Sequence, residues 1–474
     1  MSADTPQPEA QARRGRRAAL LPKGRLDTAT LLAAALPVLT LGAALLMTPR
    51  VEQPTPNPPT QAPLAHLDRG CPAALPGEGT LVVGSSTATP GEVTLRMLAG
   101  TQTEPEPLQL GAGQVTEAPV PGKPALVSAD DEQAVGLLAA RTRPKPLASV
   151  PCPVPTSDAW FTGLGARSSH ASVLEIDNPD VGAAVVDVVV LSRQGIVAAP
   201  ELRGIRIPGR TSVTVDLAAR IPRRGDIAVE VAVSRGRAAV TARDGSGRPG
   251  EGLRTDWLPA QVEPSDTNVV LGLPRGTGAR TLSVANTGDN EAVVSLRVIT
   301  PSTTFTPAGS EEFRVKPGAL VGVPLRKVLA SKAAADATGI LVEASEPVTA
   351  AVRSTVGGDV ALATAAASVV ESGAALVPEG TATLLLSGAE SDGSVAVTVR
   401  DASGRTLLDR TVDVSPDRGG SLDLPDGAAL VAITPAGTPV AAAVLVTGKA
   451  GLVVVPVSEV PQHALLPSVG PALP

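Results

Sequence analysis

Histidine is the residue type that most readily carries chemistry near neutral pH, and the chain has three: His66, His170 and His463. They lie too far apart in the sequence to indicate a set of metal ligands. His170 stands in the stretch SSHAS beside Ser168 and Ser169, a pairing that could form a serine nucleophile. No Gly-x-Ser-x-Gly elbow lies near it. We therefore predict that His170 is a solvated residue at the start of a strand.

Acidic and glycine-rich stretches are the other candidates for chemistry. Carboxylates cluster at Asp130–Glu132 and at Asp177 and Asp180, and such groups could bind calcium or act in glycoside hydrolysis. Both clusters fall in expected turns, where Asp is favoured for backbone reasons. The stretch RDGSGRPGEG at Arg243–Gly252 lacks the Lys-Ser/Thr of a phosphate loop and opens no helix. We predict no catalytic residue, metal site or cofactor.

The chain contains two cysteines, Cys71 in GCPAALP and Cys152 in VPCPVP. In an oxidising compartment one disulfide is the natural expectation. Such a bond would close a loop of about 80 residues and stabilise the fold by roughly 4 kcal/mol. Two unrelated free thiols are the alternative.

The two tryptophans occupy comparable positions. Trp160 stands in DAWFTGLG and Trp257 in RTDWLPAQ, each where one sequence repeat ends and the next begins. We interpret both as apolar plugs between neighbouring modules. A contact with a ligand or a partner is the alternative.

Composition narrows the range of functions. Aromatic residues make up 1% of the chain and tyrosine is absent, so the cores must be aliphatic, and binding sites that stack aromatic rings on sugars or bases are disfavoured. The net charge is −6, from 40 basic and 46 acidic residues. No basic stripe follows from this mixture, and we predict no binding to nucleic acid.

The N-terminal region indicates a membrane anchor. Six basic residues between Arg13 and Arg25 precede an uncharged apolar run from about Ala29 to Met47. This arrangement predicts a cytoplasmic tail (1–27), a single transmembrane signal anchor through the bilayer (28–48) and an extracellular remainder, at the plasma membrane. A cleaved signal peptide and a secreted protein are the alternative.

Repetition organises the rest of the chain. A proline-rich linker (49–70) is followed by short alternating strands in four copies: 71–155, 156–262, 263–370 and 371–460, then a flexible tail (461–474). The spacing of about a hundred residues favours an all-β row of tandem immunoglobulin-like β-sandwich modules. A β-propeller of about eight blades is the alternative.

This layout resembles a family of uncharacterised, membrane-anchored or secreted actinobacterial proteins that carry a domain of unknown function. The resemblance rests on the basic tail and anchor, the CPAALP cysteine, the DAWFTGLG junction, the Asn178-Pro179 corner and the recurring Pro-Gly turn. It implies a cell-envelope setting and transfers no catalytic residue.

The sequence therefore predicts a non-enzymatic, membrane-anchored extracytoplasmic scaffold or interaction protein of the cell envelope, with another envelope protein as its partner. The alternative function is binding of cell-wall or surface glycan.

Overall fold

The computed structural model describes residue 40 and residues 60–466, except positions 78, 248–251 and 262. Strands dominate this part of the chain, and helix is confined to single turns. The predicted all-β class is confirmed. Apart from Thr40, the predicted tail (1–27) and anchor (28–48) lie outside the described residues. Within the described residues, no helix has the length and apolar character that crossing a bilayer requires.

The strands fall into four consecutive groups, which we call blades 1 to 4. Blade 1 has two four-stranded sheets, ordered β2-β7-β4-β5 and β6-β3-β8-β9. Its elements, with the preceding strand, are β1 (Thr60–Pro63), β2 (His66–Cys71), β3 (Thr80–Ser85), β4 (Gly91–Met97), β5 (Glu106–Leu110), β6 (Val115–Ala118), β7 (Ala125–Asp130), α1 (Asp131–Ala134), β8 (Leu137–Pro144) and β9 (Leu147–Pro151).

Blade 2 is one nine-stranded sheet with the central order β12-β16-β10-β11-β17-β18. Its elements are β10 (Asp158–Arg167), β11 (His170–Asp177), β12 (Ala184–Ser192), β13 (Gly195–Ile196), a 3₁₀ turn (Pro200–Leu202), β14 (Ile205–Ile207), β15 (Ser212–Asp216), α2 (Leu217–Arg220), β16 (Arg224–Arg235), β17 (Ala239–Ser246) and β18 (Arg254–Leu258).

Blade 3 is an eight-stranded sheet organised around its longest strand, β25, which pairs with four others: β19, β20, β21 and β26. Its elements are β19 (Ser265–Leu271), β20 (Gly278–Asn286), β21 (Ala292–Ile299), β22 (Thr304–Phe305), β23 (Phe313–Val315), β24 (Leu320–Pro324), a 3₁₀ turn (Lys332–Ala334), β25 (Gly339–Val356) and β26 (Asp359–Thr364).

Blade 4 has two five-stranded sheets. Its elements, with the strand that follows, are β27 (Ser368–Val369), β28 (Gly373–Leu376), β29 (Thr381–Ser387), β30 (Gly393–Arg400), β31 (Thr406–Val414), β32 (Gly420–Asp423), β33 (Leu430–Ala436), β34 (Val440–Gly448), β35 (Gly451–Pro456), β36 (Ser458–Glu459) and β37 (His463–Leu466).

The four blades close into a ring. The strands β9, β18, β26 and β35, one from each blade, contact one another in cyclic order, so that β35 of the last blade meets β9 of the first. The structure therefore reads as a four-bladed β-propeller. A β-propeller was the alternative architecture of the sequence analysis, but with about eight blades instead of four. Nothing in the described residues supports the favoured row of immunoglobulin-like sandwiches. The blade count was wrong because each repeat forms eight or more strands.

The cores explain why the blades form a ring. Alternation in β12 buries Val186, Val188 and Val190 on one face, as the period of a strand requires. The same aliphatic core continues into blade 3 through Ala351 and Leu362. The core of blade 3 likewise takes in side chains from blade 4. Because the apolar faces are shared, separate modules would expose them to water.

A repeated asparagine corner accounts for the similarity between copies of the sequence. The buried Asn178 side chain donates to the carbonyl groups of Gly182 and Ile207. In blade 3, Asn286 donates in the same way to Asn290 and Val315. Each asparagine joins the turn after its own strand to the residues before the Pro-Gly turn, and satisfies buried backbone carbonyls.

Two predicted boundaries need correction. The linker was expected to run to residue 70, but β2 begins at His66 and buries Leu67 to Gly70 within blade 1. The tail was expected to be flexible from 461, but β37 is a strand that pairs with β1. Both predictions rested on the proline content of these stretches, and proline is compatible with short edge strands.

Candidate functional site

Both tryptophans lie at interfaces between blades. Trp257 is only 2% exposed and packs with Leu75 and Val150 of blade 1. Trp160 is half-buried and packs against an apolar patch that includes Leu191 of blade 2 and Leu320 of blade 3. Both rings therefore pack against a neighbouring blade, and neither ring forms an exposed platform.

The two cysteines form a disulfide in blade 1. Cys71 and Cys152 are both fully buried and are 81 residues apart in the chain. The bond joins β2 to the segment that follows β9, which are the first and last parts of the blade. Beside it, the Arg69 guanidinium donates to the carbonyl of Cys152 at 3.1 Å. Blade 1 is thus closed covalently at its ends.

His170 does not stand in solvent as predicted: it is only 5% exposed. Its Nε2 lies 3.0 Å from a carboxylate oxygen of Asp244, and its Nδ1 lies 3.3 Å from one of Asp226. The residue opens β11, which is flanked in its sheet by β10 and β17. Blade 3 covers this end of the sheet. The sequence of a single repeat does not reveal such a contact between blades.

Arginine 353 connects the histidine cluster to blade 3. It lies on β25 and forms an ion pair with the fully buried Asp244. Its guanidinium also donates to the carbonyl of Gly163 at 2.9 Å and to the Ser246 hydroxyl at 3.1 Å. Gly163 lies at a register shift in β10 and has a φ of 89°, a left-handed conformation that glycine adopts without strain. The bulge turns this carbonyl toward the neighbouring blade.

Hydrogen bonds and neighbouring charges shift the pKa values of three groups in this cluster. Burial lowers the pKa of His170, but hydrogen bonds to Asp226 and Asp244 outweigh it, and the net shift is upward. Burial would raise the pKa of Asp244, yet Arg353 and His170 bring it down to about 2. The hydrogen bond from His170 is also the main reason why the pKa of Asp226 is lowered. His170, Arg353 and the two aspartates thus form one cluster of hydrogen bonds and ion pairs between the blades.

The cluster does not assemble a serine nucleophile. The Ser172 hydroxyl is buried and donates to Asp244, while accepting a hydrogen bond from the Gly165 amide at 2.8 Å. Among the described residues, no serine hydroxyl forms a hydrogen bond with His170. Within the same residues there is no group of three or more His, Cys, Asp or Glu side chains that could hold a metal ion.

A polar cavity of about 620 Å³ opens beside this cluster, between blades 2 and 3. His170 and Arg353 contribute to its inner wall, and the solvent-exposed Arg167 and Arg254 lie at its rim. Asp226 also lines the cavity, and hydroxyl groups come from Ser169, Ser246, Thr281, Ser283 and Thr355.

A second cavity, of about 280 Å³, lies where the four innermost strands end, and its lining comes from all four blades. Pro151, Pro259, Ala365 and Pro456 contribute to it, each at or directly after the end of β9, β18, β26 or β35. Small apolar side chains therefore surround the axis of the ring at this end.

Residues 112–425 match a family of unknown function, DUF5719. The chain belongs to this family. The match to DUF5719 runs from blade 1 into blade 4 and includes His170, Asp226, Asp244 and Arg353. A comparison with curated proteins gives no match. Membership in DUF5719 therefore assigns no role to these residues.

Another buried cluster lies on the opposite side of blade 2, against blade 1. Glu175 accepts a hydrogen bond from the Ala73 amide at 2.7 Å, and Asp177 is 1% exposed with one carboxyl oxygen that has no hydrogen-bond partner. Burial, together with the charge of Glu175, raises the pKa of Asp177 well above its usual value. Arg141 is fully buried nearby, and burial lowers its pKa to about 10.

Sequence reasoning dismissed the two stretches that the structure brings together. SSHAS contributes His170 and RDGSGRPGEG contributes Asp244, Ser246 and Gly247. Strands β11 and β17 pair so that His170 lies opposite Ser246. The useful signal was Arg353, a charged residue within the apolar run TAAVRSTV, which forms the end of β25.

Proposed function

We propose that this chain is a non-enzymatic, membrane-anchored interaction protein of the cell envelope, with its β-propeller outside the plasma membrane. The N-terminal basic tail and apolar run support the anchor, and the alanine-, glycine- and valine-rich composition with the resemblance described above supports an actinobacterial envelope. The partner is another envelope protein.

The observation that carries the interaction role is how the ring uses its buried polar groups. The histidine, aspartate and arginine side chains that could do chemistry pair with one another and connect blade 2 to blade 3. A closed ring held in this way offers a rigid surface, which lowers the entropic cost of binding a partner. The placement of both tryptophans between blades removes the aromatic platform on which a glycan-binding role would depend.

The buried disulfide supports the extracytoplasmic location, because structural disulfides persist in oxidising compartments. Cells can be lysed directly into a denaturant that contains a thiol-alkylating reagent, with and without prior reduction. We expect Cys71 and Cys152 to react only after reduction. Labelling of both cysteines without reduction would place the propeller in a reducing compartment and refute this location.

Cross-linking of the full-length protein in its native membrane tests the interaction role. We expect one or two envelope proteins in fixed proportion, attached to residues of the propeller. Capture of wall glycan without a reproducible protein would contradict the proposal and favour the glycan-binding alternative. Turnover of a cell-wall substrate by the purified chain would contradict its non-enzymatic character.

A further inference from the structure

We propose that the polar cavity between blades 2 and 3 binds a phosphate-bearing small ligand. This site is independent of the envelope partner proposed above, which would contact the outside of the ring. The argument rests on the register of four strands, on the charges that remain uncompensated at the rim, and on the size of the cavity.

Strand register aligns four of the lining residues in one row. Arg167 on β10 lies opposite His170 on β11, His170 lies opposite Ser246 on β17, and Ser246 lies opposite Arg254 on β18. Directly opposite residues in antiparallel strands project from the same face. Neighbouring strands are about 4.8 Å apart, so the two arginines at the ends of the row are separated by roughly 14 Å at the backbone. An anion between them would meet donors from both sides.

The opposite wall comes from blade 3. Thr281 on β20 lies opposite Arg353 on β25, and both residues line the cavity. Arg353 donates to the Ser246 oxygen, which leaves the Ser246 hydroxyl hydrogen free to point toward a ligand. Donors therefore face the cavity from two blades.

Charge compensation leaves the rim positive. Inside the cavity, His170 and Arg353 already pair with Asp226 and Asp244. Arg167 and Arg254 form no ion pair or side-chain hydrogen bond with another described residue, so about two positive charges stay uncompensated. A phosphate monoester carries between about −1.5 and −2 at neutral pH, and guanidinium groups bind phosphate oxygens in pairs.

The size of the cavity indicates that the ligand is larger than phosphate. At about 620 Å³ the cavity lies within the range of roughly 300–1,000 Å³ that is typical of small-molecule sites. Five serine and threonine side chains and the Asp226 carboxylate also line the cavity, and such groups match a hydroxyl-rich organic part such as a sugar.

Calorimetric titration of the full-length protein tests the assignment, with ribose 5-phosphate, inorganic phosphate and ribose as probes. We expect ribose 5-phosphate to bind and ribose to give no heat. Binding of ribose 5-phosphate alone indicates a sugar phosphate, whereas equal binding of inorganic phosphate indicates recognition of the phosphate group only. Failure of both phosphate probes to bind at millimolar concentration would overturn the assignment.

Rim variants locate the binding. We expect Arg167→Ala and Arg254→Ala each to weaken binding of ribose 5-phosphate about tenfold, since one charge-assisted contact of this kind contributes about 1.5 kcal/mol or more. The double variant should not bind. Arg206→Ala, which removes an exposed arginine on β14 of the same blade, is the matched control and should bind normally. Unchanged binding in the double variant would place the ligand elsewhere and refute the site.

Discussion

Blade 2 buries ionisable groups against both of its neighbours, and the two interfaces treat them in opposite ways. Against blade 3, Asp244 meets Arg353 and His170, and its pKa falls to about 2. Against blade 1, Asp177 is equally buried, but its pKa is raised well above the usual value by burial and by Glu175. One interface holds charges in pairs, whereas the other favours a neutral carboxyl group.

The difference shows that burial alone does not decide the state of a carboxyl group. Both aspartates lose their hydration, which by itself disfavours the charged form. The neighbouring charges then decide: an arginine from the facing blade stabilises the ion in one case, and a second carboxyl group destabilises it in the other. The blade 1 interface has a covalent bond beside it, which the blade 3 interface lacks.

The largest expected effect comes from breaking the ion pair between blades 2 and 3. Arg353→Met should lower the free energy of unfolding by about 3–5 kcal/mol, because Asp244 would keep a buried charge without its main partner. Urea denaturation at pH 7 measures the change. Arg206→Met at an exposed position should stay within about 0.5 kcal/mol of the wild type. A similar small change for Arg353→Met would show that the pair does not hold the interface.

Removal of the disulfide tests the other side of blade 2. Cys71→Ser/Cys152→Ser should cost roughly 4 kcal/mol for a loop of this length. If the two interfaces are independent, this loss and that of Arg353→Met should add within about 0.5 kcal/mol in the combined variant. Urea denaturation of all three variants gives the comparison. A much smaller loss in the combined variant than the sum would show that both changes release the same cooperative unit.

The smallest effect, and one of opposite sign, is expected for Asp177→Asn. The folded pKa of Asp177 lies above its unfolded value of 3.8, so its contribution to stability is complete below pH 3.8 and is lost as the pH rises through the folded pKa. Asparagine stays neutral, and the variant should therefore match the wild type at pH 4 and be more stable by about 1 kcal/mol at pH 8.

Asp244→Asn is the matched contrast. Its folded pKa of about 2 lies below the unfolded value of 3.8, so the stability it provides is present above pH 3.8 and is lost as the pH falls toward 2. Asp244→Asn should destabilise the protein at pH 8, where Asp177→Asn stabilises it. Thermal unfolding across this pH range reports both. The same sign for both variants would remove the distinction between the interfaces.

Local patterns predicted the strands well, because alternation and turn residues act over a few positions. The asparagine corners at Asn178 and Asn286 could be recognised as repeats, and the bonds that they make are local to each blade. The same local repeat pattern placed Trp160 and Trp257 at junctions between copies. The spacing between copies, however, does not indicate how one copy meets another.

The candidate site was not predictable in this way, because it depends on contacts between blades. His170 and Arg353 are 183 residues apart in the chain, and no pattern within either repeat connects them. Ring closure likewise depends on β35 meeting β9 across all of blades 2 and 3 and most of blade 4. Burial of His170 depends on its contact with Arg353 of blade 3, and a single repeat read alone would leave the residue exposed.

The cores that run from one blade into the next set a practical limit on dividing this protein. If the chain were cut between blades 2 and 3, a fragment with blade 3 would expose Leu362 and its neighbours to solvent, and a fragment with blade 2 would expose the valines that they cover. Exposed apolar faces of this kind promote aggregation. Expression of single repeats is therefore expected to give insoluble material, even though each repeat has the length of an ordinary domain. The smallest soluble piece should be the whole ring.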